Sequence, residues 1–510
     1  MSILKYIKRT WPLMVRSHEN LAQAAVDPKL PEWKGPWPVY VADDEDAGAV
    51  EQSLRAVMKP ADFEKIRVRP IPAAFDSTHP HGLLYLPRPF VVPGGRFNEM
   101  YGWDSYFIQM GLLRDGHETL SKDLADNFIY QVRHYGKILN ANRTYYLDRS
   151  QPPFLTQMLL AVFRGTHDSA WLESSLDAVD KYYRYWVSEP HLAPETGLSR
   201  YIDLGSGPAP EVLSSELDAE GRTDYQLIKD YFRTHPIPDY DASLFYDSKK
   251  DELTPLFYKG DRSMRESGFD PSNRFGPFGA DIIHYNPVCL NSLLYLMETE
   301  TAEIRETLGR GDEARAWRTR AAARAERINE LMWDEEHGLY FDYHFGNGTR
   351  RAYPFLSTFY PLWAGIARRQ QAASVVRNLP LFECPGGLQT STRQTGDQWD
   401  APIGWAPLIW IAVKGLQRYG YDAEADRIAW KFLALVHQEF QALGTIEEKY
   451  DVVHCRANIS DEILFGYRSN EAGFGWTNAV YTAFFDELSR KGVCPPTGSR
   501  AAPVPQGRNL

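Results

Sequence analysis

TAEIRETLGRGDEARAWRTRAAARAERINELMW, residues 301–333, is dense in Ala, Arg, Glu and Leu, with apolar residues at intervals of three and four. Those residue types lose little side-chain freedom in a helix and that spacing aligns the apolar ones on one face, so the stretch predicts helix with a break near residues 309–311. Similar patterns occupy 120–135, 170–186, 408–419 and 423–443, and no alternating run is long enough to suggest a sheet. Between them lie long segments rich in Gly, Pro, Trp and Tyr, at 89–105, 140–155, 200–225, 260–288, 383–407 and 445–478. Loops of that length on a rigid scaffold commonly build binding sites. The expected organisation is a single all-α domain over 61–490, with an irregular N-terminal arm over 1–60 and a mobile Pro/Gly/Ala-rich tail over 491–510.

The 510 residues carry 56 Lys+Arg against 67 Asp+Glu, a net charge of −11 without a basic block, which argues against nucleic acid or an anionic membrane as partner. The aromatic share is 13%, and most of it is expected in the core. A minority is expected to line a site for a flat, hydroxylated ligand, since sugar rings pack their C–H faces on indoles while polar neighbours take the hydroxyls. Cys289, Cys384, Cys455 and Cys494 form no CxxC pair and have no His at zinc spacing. Reduced thiols, no membrane span and no leader-like apolar stretch at the N-terminus predict a soluble cytoplasmic protein.

Two segments hold the residue types for sugar chemistry. The first, Pro93-Gly94-Gly95-Arg96-Phe97-Asn98-Glu99-Met100-Tyr101-Gly102-Trp103-Asp104, places an Arg fork, an indole face and a carboxylate within nine residues. The second is Gln398-Trp399-Asp400-Ala401-Pro402-Ile403-Gly404-Trp405-Ala406-Pro407, another Trp-Asp pair in a Gly/Pro frame. Taken alone, the first also fits a turn with a buried ion pair, and Asp400 also fits a helix cap.

These segments resemble the signature motifs of the trehalase family, glycoside hydrolase family 37, PGGRFxExYxWDxY and QWDxPxGWAP. Further matches are Asn140 to Leu147, Arg149 to Phe154, Glu266-Ser267-Gly268-Phe269-Asp270, Glu448-Lys449-Tyr450-Asp451-Val452 and Gly473 to Asn478. The resemblance covers roughly residues 60 to 490. It implies an (α/α)6 barrel whose loops form a sugar pocket, and inverting hydrolysis of α,α-trehalose without metal or organic cofactor. Hydrolysis of another small α-glucoside, of the glucosylglycerol or glucosylglycerate type, and a catalytically silent sugar-binding relative are the alternatives.

Such chemistry needs one protonated carboxyl for the leaving oxygen and one carboxylate to activate water, roughly 6.5–9.5 Å apart. The resemblance implies Asp270 as the acid; on its own, Asp before Pro also reads as a helix N-cap. The family's base is sought in a glycine-rich GGGGEY stretch between the EKYDV and GFGW segments, but residues 454–472 lack that run. Counting forward from Asp451 favours Glu462, counting back from Gly473 lands between Glu462 and Glu471, and Asp461 is a third choice. Implied substrate contacts are Arg96, Phe97, Trp103, Asp104, Asn140, Arg149, Gln151, Glu211, Gly268, Trp399, Asp400 and Trp476. Departures from the family pattern are Ala209 in place of an arginine, Phe269 and Ile403. Losing an arginine fork leaves sugar hydroxyls unpaired and alters selectivity, unless Arg274, Arg468 or Arg393 fills the gap.

Overall fold

The Ala/Arg/Glu-rich stretch folds as two antiparallel helices, Val288–Thr307 and Gly311–Leu331, with the break where the sequence predicts it. The second helix buries only Ala314, Trp317, Ala321, Arg324 and Ile328, spaced three and four residues apart, so a single stripe faces inward. The first is buried nearly all round, from Val288 to Arg305. That contrast between inner and outer helices recurs through the computed structural model, which describes residues 1–29, 33–73, 75, 78–213, 217 and 220–493.

Six inner segments touch one another in chain order: Gly102–Arg114, Leu155–Thr166, Val288–Thr307, Tyr360–Ala364, Ala406–Arg418 and Gly475–Arg490. The last closes on the first. Outside them run Ile3–Met14, Glu118–Tyr135, Leu176–Trp186, Gly311–Leu331, Arg369–Arg377 and Asp422–Leu443. Alternation of inner and outer helices around a closed ring is an (α/α)6 barrel. Because each outer helix returns the chain, all inner helices point the same way, and their N-termini share one end. Short two- and three-stranded ladders tie the connecting loops together.

The first sixty residues correct the expectation of an irregular arm. Ile3–Met14 is helical and packs on Gly475–Arg490, burying Ile7 and Trp11, while Trp11 donates its indole N–H to Asp115 at 2.8 Å. The acidic run at 43–46 ends in a cap, with Asp46 accepting from the backbone of Gly48 and Ala49 at the start of helix Ala47–Val57. Prolines at 12 and 38 disguise these elements: one lies inside the first helix and the other in strand Trp37–Val41, which pairs in parallel with Ile66–Pro70 and Leu83–Leu84. Of the C-terminal tail, residues 494–510, Cys494 among them, lie outside the described residues.

The ring closes through a close approach at Gly111, where an added Cβ would lie 2.7 Å from the Trp11 ring and 2.9 Å from Ala479 Cβ. Gly111→Val is therefore expected to lose stability by about 1–3 kcal/mol through overpacking, read as a lower midpoint in urea unfolding. An unchanged midpoint would show that the contact yields without strain.

Candidate active site

The loops that precede the inner helices carry the motif residues, and they converge on a cavity of about 400 Å³ at the shared N-terminal end. Trp103 and Asp104 occupy the first turn of Gly102–Arg114, and Trp476 that of Gly475–Arg490. Gln151 accepts the Trp103 backbone N–H at 3.0 Å, and Asn140 accepts that of Gly102 through its carbonyl at 3.0 Å, so two loops fix the start of one helix. Arg96, Phe97, Trp103, Asp104, Asn140, Arg149, Gln151, Glu211, Gly268, Asp270, Trp399 and Trp476 all line the cavity.

Trp103, Trp399 and Trp476 form one wall, with ring centroids 5.8 to 6.3 Å apart. Trp405 stacks flat behind Trp399 at 3.8 Å, and Phe269 meets Trp399 edge-on at 5.2 Å. Neither Trp405 nor Phe269 reaches the cavity; they buttress the wall.

Asp270 lies two residues after Gly268, whose φ of +77° turns the chain and where an added Cβ would lie 3.1 Å from the Trp103 ring. The chain after Asp270 is not helical, so the capping alternative fails; instead Trp399 donates its backbone N–H to the Pro271 carbonyl at 3.1 Å, and the Gln398 amide bonds the Asp270 carbonyl. The Asp270 side chain keeps 35% of its surface open, toward the cavity it lines, and its ion-pair partner is Arg265 at 3.6 Å. Burial among protein atoms pushes its carboxyl up to about 6, with Arg265 and then Arg149 opposing. That environment extends the protonated form to about pH 6.

Glu448 is a second carboxyl of this region, and sequence reasoning gave it no role. It is 1% exposed and accepts from Tyr467 Oη at 2.5 Å and Lys449 Nζ at 3.1 Å. Its own carbonyl accepts the Trp476 indole N–H at 3.0 Å, which seats it directly behind the wall. Burial raises its pKa, and Lys449 and Tyr467 pull back toward the ionised form. Asp104, held well above its ordinary value by burial, feels the charge of both Glu448 and Asp270, so it stands between the two.

The Trehalase family profile matches residues 26–489. The chain belongs to the trehalase family. It is 37% identical over 438 residues to the cytosolic neutral trehalase of Neurospora crassa, covering 77% of this chain and 57% of the relative. With the cytosolic neutral trehalase of Saccharomyces cerevisiae it shares 37% over 468 residues, 83% of this chain and 60% of the relative. The chain thus spans about three fifths of the length of these curated relatives. The solved neutral trehalase Nth1 from Saccharomyces cerevisiae superposes with a TM-score of 0.79 at 32% identity, covering 96% of this chain and 95% of that one. A GH63 mannosylglycerate hydrolase from Thermus thermophilus, at 18% identity and a TM-score of 0.55 over 77% of this chain and 95% of that one, shares the fold.

In this trehalase-family pocket, three of the residues singled out in the sequence lie off the cavity wall. Glu462 does not line the cavity: it is ion-paired with Arg456, which also reaches Asp451 at 3.2 Å, and accepts from Gln394 at 3.3 Å. Glu471 lies behind the Arg96 loop, accepting the Arg96 backbone N–H at 2.8 Å and the Ser469 hydroxyl at 2.8 Å. Asp400 is also off the wall. It accepts from the Asn273 backbone at 2.9 Å, from Tyr353 at 2.8 Å and from Thr395 at 2.8 Å, and so clamps the loop that carries Asp270.

Arg149 is ion-paired with Glu211 and lies 3.7 Å from Asp203, not against Asp148. Ala209 is buried in a separate apolar cluster with Tyr225 and Phe257. Arg274 is consumed by Asp342, at 2.6 and 2.5 Å, and Arg393 lies over Tyr353. Arg265 lines the cavity, so a guanidinium remains at this wall without an arginine at 209. Lys29, Tyr146 and Tyr467 also line it; Arg265 and Tyr146 stand inside or beside quoted motif segments, whereas Lys29 lies in the presumed arm and carried no signal.

Gly268→Ala tests how tightly Asp270 is held. A side chain at φ +77° and 3.1 Å from Trp103 displaces the Asp270 turn, so kcat/KM on trehalose, the substrate proposed below, is expected to fall about 10- to 100-fold while the far-UV spectrum is kept. Full activity would show that the turn tolerates a shift.

Proposed function

We propose that this chain hydrolyses α,α-trehalose with inversion, with Asp270 as general acid and Glu448 as general base. The reading is carried by Asp270, a carboxyl on the cavity wall, with Glu448 seated directly behind that wall at Trp476. Asp270 is desolvated with one distant cation, and Glu448 is held by a lysine and a tyrosine. Burial raises both carboxyls; Asp270 keeps open surface on the cavity from which to give a proton, and Lys449 and Tyr467 favour the ionised form of Glu448. The relatives' names, neutral trehalases with a cytosolic setting in the curated ones, support the disaccharide substrate and a cytosolic location. No helix among the described residues is long and apolar enough to cross a membrane.

In the reaction, the Asp270 proton goes to the bridging oxygen as its bond to the first anomeric carbon breaks. Water attacks that carbon from the opposite face and gives a proton to Glu448. One glucose leaves with its configuration retained and the other with the β configuration. Tyr467 and Lys449 each donate to a different Glu448 oxygen. The indole wall offers a face to the first ring, and Asp104 accepts from its hydroxyls. The chemistry requires no cofactor, because both proton transfers run through side chains already present.

Asp270→Asn and Glu448→Gln are each expected to lower kcat on trehalose roughly 100- to 10,000-fold, whereas Glu462→Gln stays within a few-fold of the parent. Proton NMR of the first turnovers should show equal α- and β-glucose. Activity that survives Glu448→Gln and disappears in Glu462→Gln would return the base to the loop carboxylate.

A general acid must be protonated, so kcat/KM should decline as pH rises through the Asp270 value of about 6. Arg265 favours the ionised form of Asp270, so Arg265→Met is expected to raise that pKa and move the alkaline limb to higher pH. A limb that stays in place, or moves to lower pH, would assign it to another group.

A further inference from the structure

We propose that Lys29, from the segment that precedes the barrel, binds the leaving glucose ring and sets the affinity of the site for a disaccharide. The inference rests on the trehalase reading above and extends it to a residue outside the motifs.

The segment is locked into the site. Arg143, fully buried, donates to the carbonyls of Ala24, Ala25 and Val26 at 2.8–2.9 Å, and the Asn98 amide donates to Gln23 and Val26 at 2.6 and 3.0 Å. Tyr145 donates to Asp27 at 2.9 Å. Arg143, Asn98 and Tyr145 all belong to motif loops, so those loops hold Pro28 and Lys29 on the cavity wall.

The Lys29 ammonium has three donors. Two reach Glu99 at 3.3 Å and Tyr101 Oη at 3.2 Å, and the residue lines the cavity, which leaves one donor for a ligand. Glu99 does not need the lysine for its hydrogen bonds, since Arg143 at 2.9 Å and the Asn98 backbone at 3.1 Å already serve it. Lys29 is half-enclosed by the rings of Phe97, Tyr101 and Tyr145, 5.8 to 6.0 Å away.

The side of the pocket follows from the contacts. Tyr101 touches Tyr146 at 3.4 Å, Tyr146 underlies Arg149, and Arg149 pairs with Glu211; Arg265, which faces Asp270, feels Glu211 as well. Through this chain the proposal assigns Lys29 to the acid's side and the leaving ring, and assigns Glu448, with Lys449 and Trp476, to the side of attack.

The experiment compares Lys29→Met and Lys29→Arg with the parent on trehalose and on α-glucosyl fluoride, whose leaving group has no second ring. Loss of a charged donor to a hydroxyl is expected to raise KM for trehalose about tenfold in Lys29→Met, with the fluoride unaffected and Lys29→Arg partly restored. A purely structural lysine would change both substrates alike and lower the melting temperature. Parent enzyme that cleaves trehalose with KM unchanged in Lys29→Met, or equal losses on both substrates, overturns this inference alone. Parent enzyme that leaves trehalose intact overturns the functional reading and this inference with it.

Discussion

A carboxyl group taken out of water must be paired with a cation, hydrogen-bonded or left protonated, and this pocket gathers several of them at one end of a barrel. Glu211 is answered by Arg149, Glu448 by Lys449 and Tyr467, and Glu471 by Arg96. Asp270 has a single ion-pair partner at 3.6 Å, and burial raises its value to about 6. The acid proposed here thus meets its cation at longer range than Glu211 or Glu448 does.

This distribution requires loops from different helices to be held in register. The inner ring supplies a common end, and the positive ends of its helix dipoles favour negative charge there. Fine positioning comes from residues that never meet the substrate. Asp400 draws together Asn273, Tyr353 and Thr395, three segments far apart in the chain, and Gln398 and Trp399 bind the backbone beside Asp270. Removing any of these leaves buried polar groups unpaired, so the loops are costly to displace singly.

The helices and the break at 309–311 were legible because they rest on local periodicity and propensity, and most of the pocket wall was legible through long motifs. The base was not. Glu448 stood in a quoted segment, but what marks it, the Tyr467 hydroxyl nineteen residues on and the Trp476 indole twenty-eight residues on, is contact across the fold. Interval counting instead selected Glu462, whose partner Arg456 lies six residues away and keeps it on the loop. The first helix was hidden by Pro12, and Lys29 by its place in a stretch with no motif.

Composition drew attention to aromatics without separating those that face a sugar from those that hold the face in place. Trp399 presents its ring only because Trp405 stacks beneath it at 3.8 Å and Phe269 abuts it at 5.2 Å. An indole free to change rotamer would lose entropy each time a ring settled on it; one already pinned loses almost none. The buttressing residues therefore contribute to binding without contact, and Phe269 at a position where the family pattern has another residue preserves that function through its ring edge. The same logic explains why Trp405, fully buried, belongs to the motif as firmly as Trp399: the pair is a single rigid plate, half of it in the core and half in the pocket.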